Sequence, residues 1–213
     1  MRHSQVLAHD SDVCTVMDTC IFTGRHKSNI AMSAHGEFVA LIVFERAATK
    51  PLGMNITIVQ TKDDGLTYGP FQVIEDVAGC NYDNSDIWFF EDDAGTTYLG
   101  RLVVRWGPFG LVRYYELYVL KNNKFEKNRE FYLCTGLNAT SMKQFHAVSA
   151  SGSVVVFVEP NLNGPNPVQR IMLLESLTGS VTHVGDYEMA DVTKGIVCLC
   201  VSPCASIVVA FTE

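Results

Sequence analysis

Long hydrophobic runs are missing from this chain. The longest, Phe38 to Phe44 and Val154 to Val158, fall far short of the ~18 apolar residues that a membrane-spanning helix needs. Positive charge is scarce as well: 16 Lys and Arg stand against 23 Asp and Glu, giving a net charge of −7. A duplex-binding protein carries a basic stripe, and none is visible, so neither a membrane nor nucleic acid is expected as a partner. The one clustered positive stretch, Lys121 to Arg129, contains Glu126 and is followed by Glu130; it reads as a solvated hairpin tip. No apolar stretch follows Met1-Arg2-His3-Ser4, so no signal peptide is expected. The chain is accordingly placed in the cytoplasm or in a virus particle, with reduced thiols.

Several chemical signatures are also lacking. The six histidines, at 3, 9, 26, 35, 146 and 183, never pair at metal-ligand spacing. There is no phosphate-binding Gly loop and no nucleophile elbow. No cofactor and no metal are expected. The seven cysteines, at 14, 20, 80, 134, 198, 200 and 204, form no CxxC pattern. Cys198 and Cys200 alternate with Val197, Leu199 and Val201, and the expectation is that they are small buried hydrophobes. The sequons at Asn55 and Asn138 carry no weight without a secretory leader.

Core-forming residues are plentiful. Twelve Phe, eight Tyr and 47% hydrophobic residues exclude general disorder. Helical spacing is nearly absent, and short apolar or alternating runs dominate. Gly- and Asp-containing turns separate them. The fold class expected is all-β.

The runs repeat. A strand, a tight turn and a more apolar strand occur at Asn29 to Phe44, Asp86 to Val104, Phe145 to Val158 and Ile196 to Phe211. The turns sit near 36, 95, 152 and 204, a period of 52 to 59 residues. Second hairpins follow the first three units: Ile56 to Thr61 with Phe71 to Glu75, Tyr114 to Leu120 with Glu130 to Cys134, and Gln169 to Glu175 with Val181 to Val184. Antiparallel four-stranded units at this period suggest a β-propeller. The fourth unit stops after two strands, and Gln5 to Ala8 and Val13 to Cys20 supply two more. The expectation is a single domain over residues 1–213 with four blades, at about 24–80, 81–140, 141–190, and 191–213 joined to 1–23.

One motif points to a family. Thr61-Lys-Asp-Asp-Gly-Leu-Thr-Tyr68 resembles the Asp box of the sialidase (neuraminidase) superfamily, with Thr61, Asp63, Gly65, Thr67 and Tyr68 filling its defined positions. The resemblance implies that Asp63 accepts turn hydrogen bonds, Gly65 takes an unusual φ, and Tyr68 packs beneath, largely buried. A weaker echo at Glu91 to Tyr98 keeps Asp93, Gly95, Thr97 and Tyr98. Residues 24–76 as a whole resemble a first sialidase blade, from Arg25 through Glu45-Arg46 to Gly69-Pro70.

That resemblance places Arg25 and Arg46 where two carboxylate-binding arginines of such enzymes would stand. Guanidinium forks suit this chemistry. The acid/base Asp expected shortly after Arg46 is absent, since 47–55 holds no carboxylate. Arg170, Tyr187 and Glu188 are available in later strands, but no motif marks them. Trp106 and Phe109, around a Gly-Pro turn, are candidate contacts for a protein or carbohydrate partner, as is the loop from Pro160 to Pro167. The function expected is a non-catalytic, sialidase-like binding or structural module, as a component of a larger assembly such as a virion. The alternative is a sialidase-like glycosidase acting on acidic sugars.

Overall fold

The structure is a computed structural model, and it describes residues 30–45, 53–62, 65–75, 80–107, 110–137, 146–161, 168–188, 195–202 and 205–212. Every regular element among them is a strand. Sheet one runs in the order β1 (Ile30–Met32), β2 (Phe38–Glu45), β3 (Gly53–Thr61), β4 (Tyr68–Ile74). Sheet two runs β5 (Cys80–Glu91), β6 (Thr97–Gly107), β7 (Gly110–Lys121), β8 (Lys124–Leu137). Sheet three runs β9 (His146–Val148), β10 (Val154–Asn161), β11 (Val168–Glu175), β12 (Val181–Glu188). Sheet four has β13 (Ile196–Val201) and β14 (Val208–Thr212). All pairings are antiparallel meanders.

The sheets stack face to face in chain order, because period-two alternation gives each an apolar face to cover. Phe38, Ile42 and Ile58 of sheet one meet Leu99, Val103 and Phe125 of sheet two. The opposite face of sheet two, with Leu102, Tyr115 and Leu117, meets Val155, Phe157 and Leu174 of sheet three. Val156 and Val158 then meet Ile196 and Leu199 of sheet four. First strands lie beside first strands: β1 against β5, and β9 against β13. The arrangement is propeller-like. The four-blade closure with strands from 1–23 lies outside the described residues.

One turn design recurs in the first hairpin of all four sheets. Three residues before a left-handed position stands a side-chain oxygen: Ser33 before Gly36, Asp92 before Gly95, Ser149 before Gly152, and Ser202 before Ala205. Those four positions have φ of 70°, 76°, 74° and 57°. The oxygen accepts from the returning strand: Phe38 N to Ser33 Oγ at 2.9 Å, Thr96 N to Asp92 Oδ1 at 2.8 Å, Val154 N to Ser149 Oγ at 3.2 Å, and Ile207 N to Ser202 Oγ at 3.0 Å. The echo turn is therefore organised by Asp92; Asp93 is exposed.

Side chains latch each sheet to the next by binding its backbone. Gln72 accepts from Phe125 N at 2.8 Å and donates to Phe125 O at 2.9 Å. Trp88 Nε1 donates to Gly152 O at 2.8 Å, and Arg129 donates to Thr178 O at 2.9 Å. Ile196 N donates to Gln169 Oε1 at 2.6 Å. Within sheet two, Trp88 lies over Gly100, its cross-strand partner. It stacks on Tyr115 at 5.4 Å, and Tyr115 stacks on Phe131 at 5.7 Å.

One sequence expectation is narrowed here and another corrected. Lys121 to Arg129 is the solvated end of the β7–β8 hairpin, exposed apart from Phe125, but most of it is strand: the turn is only Asn122-Asn123, whose φ values of 48° and 59° match the twist of a tight hairpin. Cys200 is exposed rather than buried. Sheet four packs one face on sheet three, so alternate residues of β13 point away from that contact.

Candidate functional site

The described residues bring together one cluster of charged side chains, on the face of sheet two that turns toward sheet one. Arg101 and Arg105 come from β6. Tyr114, Glu116 and Tyr118 come from β7, and Lys127, Glu130 and Tyr132 from β8. Alternation aligns the β6 and β7 members, with Arg101 directly opposite Glu116. The β8 members need more. Lys127 and Glu130 are three apart and would face opposite ways in a regular strand. A bulge between Leu117 and Tyr118 absorbs the extra residue, pairing Tyr118 with Lys127 and Glu116 with Glu130.

Glu116 is the hub. Its side chain is 1% exposed, as is that of Arg101, whose Nη1 lies 3.2 Å from Glu116 Oε2. Tyr118 donates to the same oxygen at 2.9 Å. Arg105 Nη2 and Lys127 Nζ share the other oxygen, Lys127 at 2.8 Å. Arg105 and Lys127 also both reach Oε2 of Glu130, Arg105 at 3.3 Å. The Arg105 guanidinium sits 5.3 Å from the Tyr114 ring centre. Tyr132 stands edge-on to Tyr114 at 6.1 Å and is 56% exposed.

Burial alone would raise the Glu116 carboxyl. Arg101, Lys127 and Arg105 reverse this and hold it down at about 2. Desolvation depresses Lys127, but its bonds to Glu116 and Glu130 outweigh that and raise it. The Tyr118 hydroxyl is pushed up by burial and by Glu116 beside it. At neutral pH the carboxylate, the ammonium and the phenol thus keep their ordinary charge states. The cluster is a network of fixed charges around Glu116.

Most residues singled out from the sequence lie elsewhere. Arg25, Arg46, Asp63 and Phe109 are outside the described residues. Trp106 lies within β6, opposite Leu111, rather than on a turn. Thr61 ends β3 opposite Tyr68, and Lys62 N donates to Thr67 O at 2.8 Å. Gly65 has φ of 66°. Tyr68 is half-buried, packs by Val39, Leu41 and Val59, and donates to Gly36 O at 2.7 Å. Arg170, Tyr187 and Glu188 do not converge: Arg170 pairs with Asp186 in register and lies 3.8 Å from Glu159, while Tyr187 packs toward sheet four. The cluster around Glu116 was not anticipated. Its one signal was a charge inside each apolar run, Arg101 in Leu99 to Val104 and Glu116 in Tyr114 to Leu120.

No protein-family profile matches the chain, and no curated protein matches it. Among solved structures, one described as the crystal structure of puromycin hydrolase aligns with 86% of this chain at 10% identity and a TM-score of 0.31. The alignment covers 33% of that chain, so this one spans about a third of its length.

Proposed function

We propose that the chain is a non-catalytic, sialidase-like β-propeller that serves as a binding or structural module for a protein or carbohydrate partner. The observation that carries this reading is the state of Glu116. The most buried carboxylate among the described residues is committed to three cations and is held ionised. A glycosidase needs an acid that is protonated at working pH, worth roughly 10²- to 10⁴-fold in rate. Aromatic and cationic groups at a rigid sheet surface suit recognition instead. The Asp-box resemblance of Thr61 to Tyr68 and the first-blade resemblance are compatible with either role.

The expected outcome is no hydrolysis of a fluorogenic sialoside between about pH 4 and 8, the window in which a tuned carboxylic acid works. Turnover that disappears in Arg25→Ala would overturn the reading and restore the acidic-sugar glycosidase. Location in the cytoplasm or in a virus particle remains part of the same proposal.

The architecture within this proposal is a closed four-blade ring, with Gln5 to Ala8 and Val13 to Cys20 completing sheet four. Three features support it. Sheet four opens with the same turn as its sisters, yet it has two strands among the described residues where they have four. The outer strands β4, β8 and β12 carry Pro70 or charged residues, a common protection for free edges. The sequence of β14, Val-Val-Ala-Phe-Thr, has neither, as befits a strand with neighbours on both sides.

A further inference from the structure

We propose that Arg105 and Lys127 form a docking cradle for a carboxylate side chain of a protein partner, and that Glu130 is its resident, displaceable occupant. This rests on the binding-module reading and names the contact point.

Glu116 and Glu130 stand directly opposite each other across β7 and β8. Like charges in that position repel. The two carboxylates differ in commitment. Glu116 is buried, and Arg101 and Tyr118 anchor it independently of the cradle. The Glu130 side chain is 38% exposed, and among the described residues its partners are Arg105 and Lys127, both on one of its oxygens. Leaving the cradle returns Glu130 to water, so little is lost with an exposed ion pair. The cations cannot leave so easily. Arg105 is held by Glu116 and by the Tyr114 ring, and Lys127 by Glu116.

With Glu130 swung out, three cations face one carboxylate, in a chain whose net charge is −7. The spot is locally positive on an acidic molecule, and its size is set for a carboxylate because one already fills it. Tyr132 borders it with an exposed ring, and Tyr and Arg are the residue types that dominate protein-binding hot spots.

The test uses the full chain carrying Glu130→Ala, with isotope-labelled Lys and Arg side chains followed by NMR. Propionate, the analogue of a whole glutamate side chain, is titrated against propionamide. Removing an intramolecular competitor raises apparent affinity, so propionate should bind the variant about tenfold more tightly than wild type. Propionamide should have no effect, and adding Lys127→Met should abolish the response. The blocked tripeptide Ala-Glu-Ala should bind like propionate, and Ala-Gln-Ala should not. Glu130→Gln gives a second unblocked cradle should the alanine variant fold poorly. Equal propionate affinity in wild type and both variants would overturn the cradle while leaving the non-catalytic reading intact. Binding of glucuronate in preference to the glutamyl tripeptide would overturn the protein partner.

Discussion

Glu116 shows how a single residue sets a measurable property. Its carboxyl is depressed in the folded chain to about 2 from an ordinary 4.5. A depressed acid contributes stability that is fully present above its unfolded value and is lost as pH falls through the folded one. Thermal midpoints should therefore drop between pH 4.5 and about 2, and Glu116→Gln should flatten that part of the profile. The same variant should cost about 3–5 kcal/mol at neutral pH, because the buried Arg101 loses the charge of Glu116. Gly100 makes a second residue-scale case. A Cβ there would stand 2.5 Å from Trp88 Cε2, so Gly100→Ala must push the indole off its stack. A loss of about 1–3 kcal/mol by chemical denaturation is expected from such overpacking, with changed Trp fluorescence. Neither residue's role was legible beforehand. A glycine inside an apolar run and a glutamate between tyrosines gain meaning only from the strands placed beside them.

At the scale of elements, far more could be read. Alternation and turn residues located the strand pairs of the first hairpins, because those signals are local in the chain. The β7–β8 hairpin was recognised, but its tip was drawn too long for an equally local reason. Charge density in Lys121 to Arg129 suggested a solvated tip, whereas an edge strand tolerates charges on its exposed positions. The recurrent turn was seen as a glycine rhythm, and its side-chain acceptor three residues earlier needed the structure. That design makes Ala205 the odd member, at φ of 57° where its sisters have Gly. Ala205→Gly should stabilise the chain by about 1 kcal/mol, since an L side chain is strained there by more than glycine's extra unfolded-state freedom costs. Urea unfolding compared with wild type checks it, and a loss of stability would show the turn to be relaxed as it stands.

For the molecule as a whole, the repeat period pointed to stacked four-stranded units, and three such sheets stand in sequence order. The ring closure proposed from the two-strand deficit has a direct test. In the full chain, the amides of β14 should exchange with solvent as slowly as those of β2, β6 and β10, the second strands of the other sheets. Val6→Pro, which removes one donor from the proposed neighbouring strand, should speed exchange in β14 and spare those three. Fast exchange of β14 in the unmodified chain would leave sheet four an open edge. The charged cluster was hidden at this scale because it depends on a bulge, and no periodic reading anticipates a skipped residue.

The latches that join the sheets have a mechanical meaning. Gln72, Trp88, Arg129 and Gln169 each bind the backbone of an adjacent sheet. Load carried from one sheet to the next therefore passes through a few discrete hydrogen bonds as well as through apolar contact. Held at Ile30 and Thr212 and drawn apart, the chain should yield in separate events, one sheet at a time. Each event lengthens the tether by up to about 3.5 Å for every residue released.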